Sequence, residues 1–330
     1  MKQTLIENVE TMPKTLFPKI DVQRDLFPKK DFITNSWFVC GQFEAGGRKL
    51  NYFYDVLLGG VPGQAEMVVD NMSVTDQTSK ECYHFSEAYP LSMCEVGKDE
   101  FFIKTPHAEI FGNLDELHLL ASMKNVDLQA KLVPTGYPIF NAGDGNFMVG
   151  DMISFQYSVP KLNTSGTLAI KGHEYELSGI SWFDRQWGGD LATPMDAVSK
   201  VPMWGWMDLN LSNGEFLSLW FLPYEKGEVA WATVLHEDGS QSVLYVEPML
   251  KNASDYWTSE LSGISYPTRW VINMPDADAK LEVVSDPQNQ EVFSEEVPSL
   301  THYEGASIIT GTYKGENVHG KCYVELMNWR

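Results

Sequence analysis

The chain has 330 residues, 43% of them hydrophobic, and a formal net charge of −21. That size and apolar content suffice for two domains or one large β domain. So acidic a chain lacks the Lys and Arg surplus that nucleic acid or an anionic membrane surface requires, so neither is an expected partner.

Residues 1–30 read as an N-terminal extension with Pro13, Pro18, Pro28 and mixed charge. It contains no apolar run of signal length, and no stretch approaches a membrane span, so a cytoplasmic protein is expected. Val9–Leu16 permits a short helix before Pro18. Beyond residue 30 the chain reads as β almost throughout. Ser36–Phe43, Asn51–Leu58, Glu100–Lys104 and Glu116–Ala121 are short, aromatic and β-branched, with Gly, Asn and Asp between them. Glu44–Arg48 is a glycine turn, and Asn213-Gly214 between two apolar runs predicts a type I′ hairpin. Glu237–Ser240 predicts another hairpin, between Thr233–His236 and Gln241–Val246. Helical periodicity is weak, with one hint at Thr193–Ser199. The strand pattern lapses over Pro194–Pro202 and restarts at Trp204. The expected organisation is therefore 1–30 extension, 31–200 first β domain and 201–330 second β domain, each a sandwich or barrel.

Familiar catalytic motifs are missing. There is no Gly-rich phosphate loop, no GxSxG elbow and no HExxH. The seven histidines are scattered, and Cys40, Cys82, Cys94 and Cys322 have no CxxC spacing. The cysteines read as buried small hydrophobes. Gly143-Asp-Gly-Asn146 lacks a calcium-loop spacing and reads as a turn. Neither a metal nor a cofactor is expected.

The segment richest in chemistry is Gly179-Ile-Ser-Trp-Phe-Asp-Arg-Gln-Trp-Gly-Gly189, with Asp184 between Trp182 and Trp187. Strand alternation points Trp182 and Asp184 one way, and Phe183 and Arg185 the other. A carboxyl beside indole faces loses water, its pKa rises, and it becomes a proton donor. The same residues also suit a turn aspartate paired with Arg185 in an ordinary tryptophan core, and taken alone they favour that reading.

Four segments, in order, resemble the lipocalin-like family that contains carotenoid 1,2-hydratase and the AttH-type proteins. They are Ser36-Trp37-Phe38 through Gly46-Gly47 to Tyr52-Phe53-Tyr54; Tyr157-Ser158-Val-Pro-Lys161-Leu162, with lysine where the family has arginine; Gly179, Trp182, Asp184, Arg185 and Gly188; and a closing strand with Gly315, Gly320, Tyr323 and Glu325. The resemblance spans residues of about 35 to 330. It implies an all-β protein of two packed lipocalin-like β-sandwich or β-barrel domains, with an apolar small-molecule substrate bound between them. Relatives implied by it include hydratases of isoprene groups, kievitone hydratase-like enzymes and Diels–Alder-type cyclases. Arg185-Gln186 stands where carotenoid hydratases have His-Asn.

The leading expectation is a cofactor-independent hydratase (a lyase) or acid-type cyclase acting on an isoprenoid or prenylated molecule. Asp184 is the proton donor, Tyr157 orients acid or water, and Glu325 is the base. Trp182, Trp187, Trp206, Trp37 and Tyr323 are the expected substrate-binding residues, their rings shielding a cation. A pericyclase, which needs positioning more than acid, and a non-catalytic carrier are the alternatives. Substrate identity and oligomeric state are open at this level.

Overall fold

The computed structural model describes residues 19–60, 66–190, 193 and 202–329. The helical hints at Val9–Leu16 and Thr193–Ser199, and the junction at Pro194–Pro202, fall wholly or largely outside these residues. The described chain is nearly all antiparallel strand. Strands between Phe32 and Asp190 form one 13-stranded sheet, and strands between Trp204 and Met327 form a second, 10-stranded sheet.

Each sheet curls until its margins meet. In the first, the His107 ring lies 4.9 Å from Phe85 of the far margin, and Thr105 Oγ1 donates to Asp70 Oδ2 at 2.5 Å. In the second, Glu247 N–H donates to Asn273 O at 3.0 Å. A curled sheet has an inside and an outside, and burial along the strands records both. Val126–Pro134 alternates between buried and exposed, as a strand with one wet face must. Phe216–Tyr224 is buried over six consecutive residues, because its second face meets the other sheet. Three apolar clusters result. One fills each sheet, and the third, with Phe38, Cys40, Trp182, Trp206, Trp220 and Tyr323, lies between them.

Turn chemistry sets the registers, with one departure from expectation. At Glu44–Arg48, Gly46 and Gly47 both have positive φ (56° and 75°), and Ala45 pairs with Arg48 in a two-residue loop. Asn213-Gly214 does not form the expected type I′ turn. Leu211 N–H donates to Glu215 O and Gly214 N–H to Leu211 O, which closes a three-residue loop in which Gly214 alone has positive φ (86°). The extra residue, Ser212, lets the strands keep their pairing with a bulge. Cys40 and Cys322 are buried as expected, whereas Cys82 and Cys94 are only partly so. No helix among the described residues is long and apolar enough to cross a membrane.

Candidate active site between the sheets

The strand His173–Asp190 is the hinge of the arrangement, because its two faces look into different places. Phe183, Arg185 and Trp187 point into the first sheet's core, while Trp182 and Asp184 point toward the second sheet.

On the inner face, Arg185 is fully buried without a carboxylate contact. Its guanidinium donates to Asp25 O (3.0 Å), Phe27 O (2.9 Å) and Asn35 Oδ1 (2.7 Å), and lies 4.2 Å from the Trp37 ring and 5.0 Å from Trp187. Trp37 Nε1–H donates to Leu26 O (2.8 Å), and Tyr157 O–H to Val22 O (2.8 Å). These three side chains pin residues 22–27 across the end of the first sheet. Three sequence expectations are corrected here. Tyr157, Trp37 and Trp187 are not beside Asp184, because at this level of the sheet odd-numbered positions face inward and Asp184 faces outward. Replacing Arg185 with leucine leaves several buried carbonyls unpaired. It is expected to cost about 3–5 kcal/mol, read as a lower urea midpoint.

On the outer face, Asp184 is 5% exposed. Trp182 Nε1–H donates to one carboxyl oxygen (2.7 Å) and Gln156 Nε2–H to the other (2.7 Å). Burial raises its pKa to about 7, although hydrogen bonds from Ser158, Trp182 and Gln156 oppose the rise. Arg185 does not hold it ionised, since the guanidinium is on the opposite face.

Between the sheets lies a cavity of about 980 Å³. Its walls include Cys40, Ser181 and Trp182 from the first sheet, and Asp208, Phe216, Leu235 and Tyr323 from the second. Lys161, Lys321, His319, Glu44 and Glu237 also line it. Asp184 does not line it; Trp182, which donates to Asp184, does. The buried carboxyl on the wall is Asp208, which was not singled out from sequence. Asp208 is 3% exposed and accepts from the Tyr323 N–H, from Asn210 Nδ2 (3.0 Å) and from Cys40 Sγ (3.5 Å). Burial raises its pKa to about 8, with repulsion from Asp184 adding to the rise. The signal was present: Trp206-Met-Asp208 repeats the pattern of Trp182-Phe-Asp184, and the two tryptophan rings meet edge to face at 5.8 Å.

Trp206 also contacts Phe38 at 5.1 Å and donates from Nε1 to Ser218 Oγ at 2.9 Å, so it braces Trp182 and does not line the cavity itself. Tyr323 lines the cavity, and its buried hydroxyl has no hydrogen-bond partner among the described residues. Glu325 sits directly opposite Glu304 in the strand pairing, away from the cavity. Burial, then repulsion from Asp55 and Asp184, raises its pKa well above the carboxylate range. Glu325, off the cavity and with its pKa raised, does not fit the expected role of base.

The fold and cavity define a two-sheet, lipocalin-like β protein with two buried acids between its sheets. The sequence model of the AttH-like family matches residues 15–329, and the chain belongs to that family. Among curated proteins it is similar to dehydratase asqC of Emericella nidulans, at 26% identity over 225 residues, 65% of this chain and 62% of that protein. It is also similar to kievitone hydratase of Fusarium solani subsp. phaseoli, at 24% identity over 228 residues, 66% of this chain and 62% of that protein. The match thus spans less than two thirds of either relative. Of solved structures, an AttH-type protein of Nitrosomonas europaea superposes with a TM-score of 0.81 at 18% identity, covering 97% of this chain and 100% of that one. Kievitone hydratase of Nectria haematococca superposes with a TM-score of 0.79 at 18% identity, covering 94% and 93%. These two likenesses speak for the fold.

Proposed function

We propose that this protein is a cofactor-independent hydratase or dehydratase that takes a large apolar isoprenoid or prenylated molecule into the cavity between the sheets. The observation that carries the reading is Asp208: a carboxyl in the cavity wall, beside Trp182 and Tyr323, raised to about 8 by burial. Such a group is an acid at neutral pH and still gives up its proton readily. In hydration, Asp208 protonates the less substituted alkene carbon, a tertiary cation forms under the Trp182 ring, and water traps it, its surplus proton returning to the Asp208 carboxylate. In dehydration, the same proton goes to the departing hydroxyl, which leaves as water, and the cation gives a proton from the neighbouring carbon back to the Asp208 carboxylate. Tyr323 offers its unpaired hydroxyl to the water or hydroxyl oxygen. Asp184 backs Trp182 and acts on Asp208 through its charge. The names of the two curated relatives support this class of reaction, and the fold, which hosts many functions, does not by itself decide it.

The test is a panel of prenylated phenols and terpenoid alkenes, with the matching tertiary alcohols, incubated in ¹⁸O-labelled water. One solvent oxygen per hydrated product, or loss of water from an alcohol, is expected. An alkene converted to a product without solvent oxygen, with the alcohols left intact, overturns the reading in favour of cyclisation. Ligands that enter the cavity should also quench tryptophan fluorescence through Trp182 and raise the melting temperature, as a native-state ligand must. A panel that changes neither signal removes the support for the cavity.

A further inference from the structure

Where the cavity just described ends at His236, the second sheet assembles three side chains in the order that nucleophilic catalysis uses. The hairpin signalled by Glu237–Ser240 is closed by His236 N–H to Ser240 O (3.0 Å) and Gly239 N–H to His236 O (2.9 Å). It brings His236, at the end of one strand, against Ser242 on the next. His236 Nε2 lies 2.9 Å from Ser242 Oγ, and His236 Nδ1 lies 2.6 Å from Glu215 Oε1. Glu215 comes from the neighbouring loop and is fixed by Lys314 Nζ at 2.7 Å. Burial alone would raise the Glu215 carboxyl, but Lys314 and His236 hold it below the ordinary range. An ionised Glu215 keeps the ring hydrogen on Nδ1, which leaves Nε2 to accept from the serine hydroxyl.

Two further features suit an acyl-transfer site. His236 and Ser242 border a second cavity of about 400 Å³, walled also by Leu244, Ala277 and Tyr313. The strand Gln241–Tyr245 is the edge of its sheet. Val246 N–H donates inward to Ala230 O (3.3 Å), so alternation turns the Val243 N–H outward, next to Ser242. The N–H after the nucleophile is a common oxyanion donor.

We infer that Ser242, His236 and Glu215 form a second catalytic site that hydrolyses small carboxylic esters whose acyl group fits the cavity beside Leu244 and Tyr313. Ser242 Oγ bonds to the ester carbonyl carbon while its proton passes to His236 Nε2. The carbon–alkoxide bond breaks, and His236 returns the proton to the leaving alkoxide, which departs as alcohol. Water then adds to the acyl-enzyme by the same route, releasing the carboxylic acid and restoring the serine. This site does not rest on the hydratase reading, and none of its three residues serves as acid there.

The full chain is treated with a small alkyl fluorophosphonate, then separately with p-nitrophenyl acetate. One phosphonyl adduct per chain, mapped by peptide mass spectrometry to Ser242, and a one-equivalent burst of p-nitrophenol are expected. Ser242→Ala should abolish both, and His236→Ala should slow labelling by about 100-fold or more. Mapping on the unaltered chain does not depend on how the variants fold. No adduct, an adduct on another residue, or an unchanged burst in Ser242→Ala overturns the assignment.

Discussion

Asp208→Asn is expected to lower kcat by about 10²–10⁴-fold, the usual worth of a positioned acid, while leaving ligand quenching of tryptophan fluorescence intact. Asparagine keeps the acceptor for Tyr323 N–H but has no proton to transfer. In the unaltered chain, hydration should fall off as pH rises through about 8, where Asp208 loses its proton. Asp184→Asn separates the roles of the two acids. Removing the Asp184 charge removes a repulsion that raises Asp208, so the alkaline limb should move to lower pH, with a loss of only about tenfold at neutral pH. If Asp184→Asn is the dead variant and Asp208→Asn is fully active, the proton donor is Asp184, and the assignment of Asp208 is wrong. Steady-state rates across pH 5 to 9 decide this.

The second large effect is on stability. Asp184 and Asp208 ionise near 3.8 when unperturbed, but near 7 and 8 in the folded protein. Between these limits the native state retains protons that the unfolded chain has released. Stability therefore falls as pH rises from about 4 to about 8, and the loss is complete above the folded pKa values. Each tenfold change in proton affinity corresponds to about 1.4 kcal/mol, so the raised pKa of Asp184 represents on the order of 4 kcal/mol. Glu304, buried with neither carboxyl oxygen hydrogen-bonded, adds to the same slope. Asp184→Asn and Asp208→Asn remove the titration. Each should raise the urea midpoint at pH 8.5 and change it little at pH 5. Equal midpoints for variant and unaltered chain at pH 8.5 would mean that these carboxyls are ionised at little cost.

Local chemistry already contained much of this. Short aromatic strands punctuated by glycine determine an antiparallel β protein, because such runs satisfy their backbone only by pairing with neighbours. Period-two alternation places Trp182 with Asp184 and sets Arg185 against them, and the structure has that arrangement. It carries the same message for Trp206 and Asp208. Turn residues located the hairpins, including the one that joins His236 to Ser242, although the length of the Ser212–Gly214 loop was settled by the pairing of its flanking strands.

Alternation yields parity and nothing more. It says that Tyr157, Trp37 and Trp187 lie on one side of their strands, not whether that side faces a sheet's own core or the other sheet. Only the curl of the first sheet decided it, turning those rings inward around Arg185 and residues 22–27. The meeting of Asp208 with Cys40 and Tyr323, like that of Glu215 with His236, joins positions far apart along the chain. Such contacts follow from strand order and from the packing of two curved surfaces. No local preference encodes them, and neither does the loss of water that raises the carboxyl pKa values, since burial is a property of everything packed around a residue.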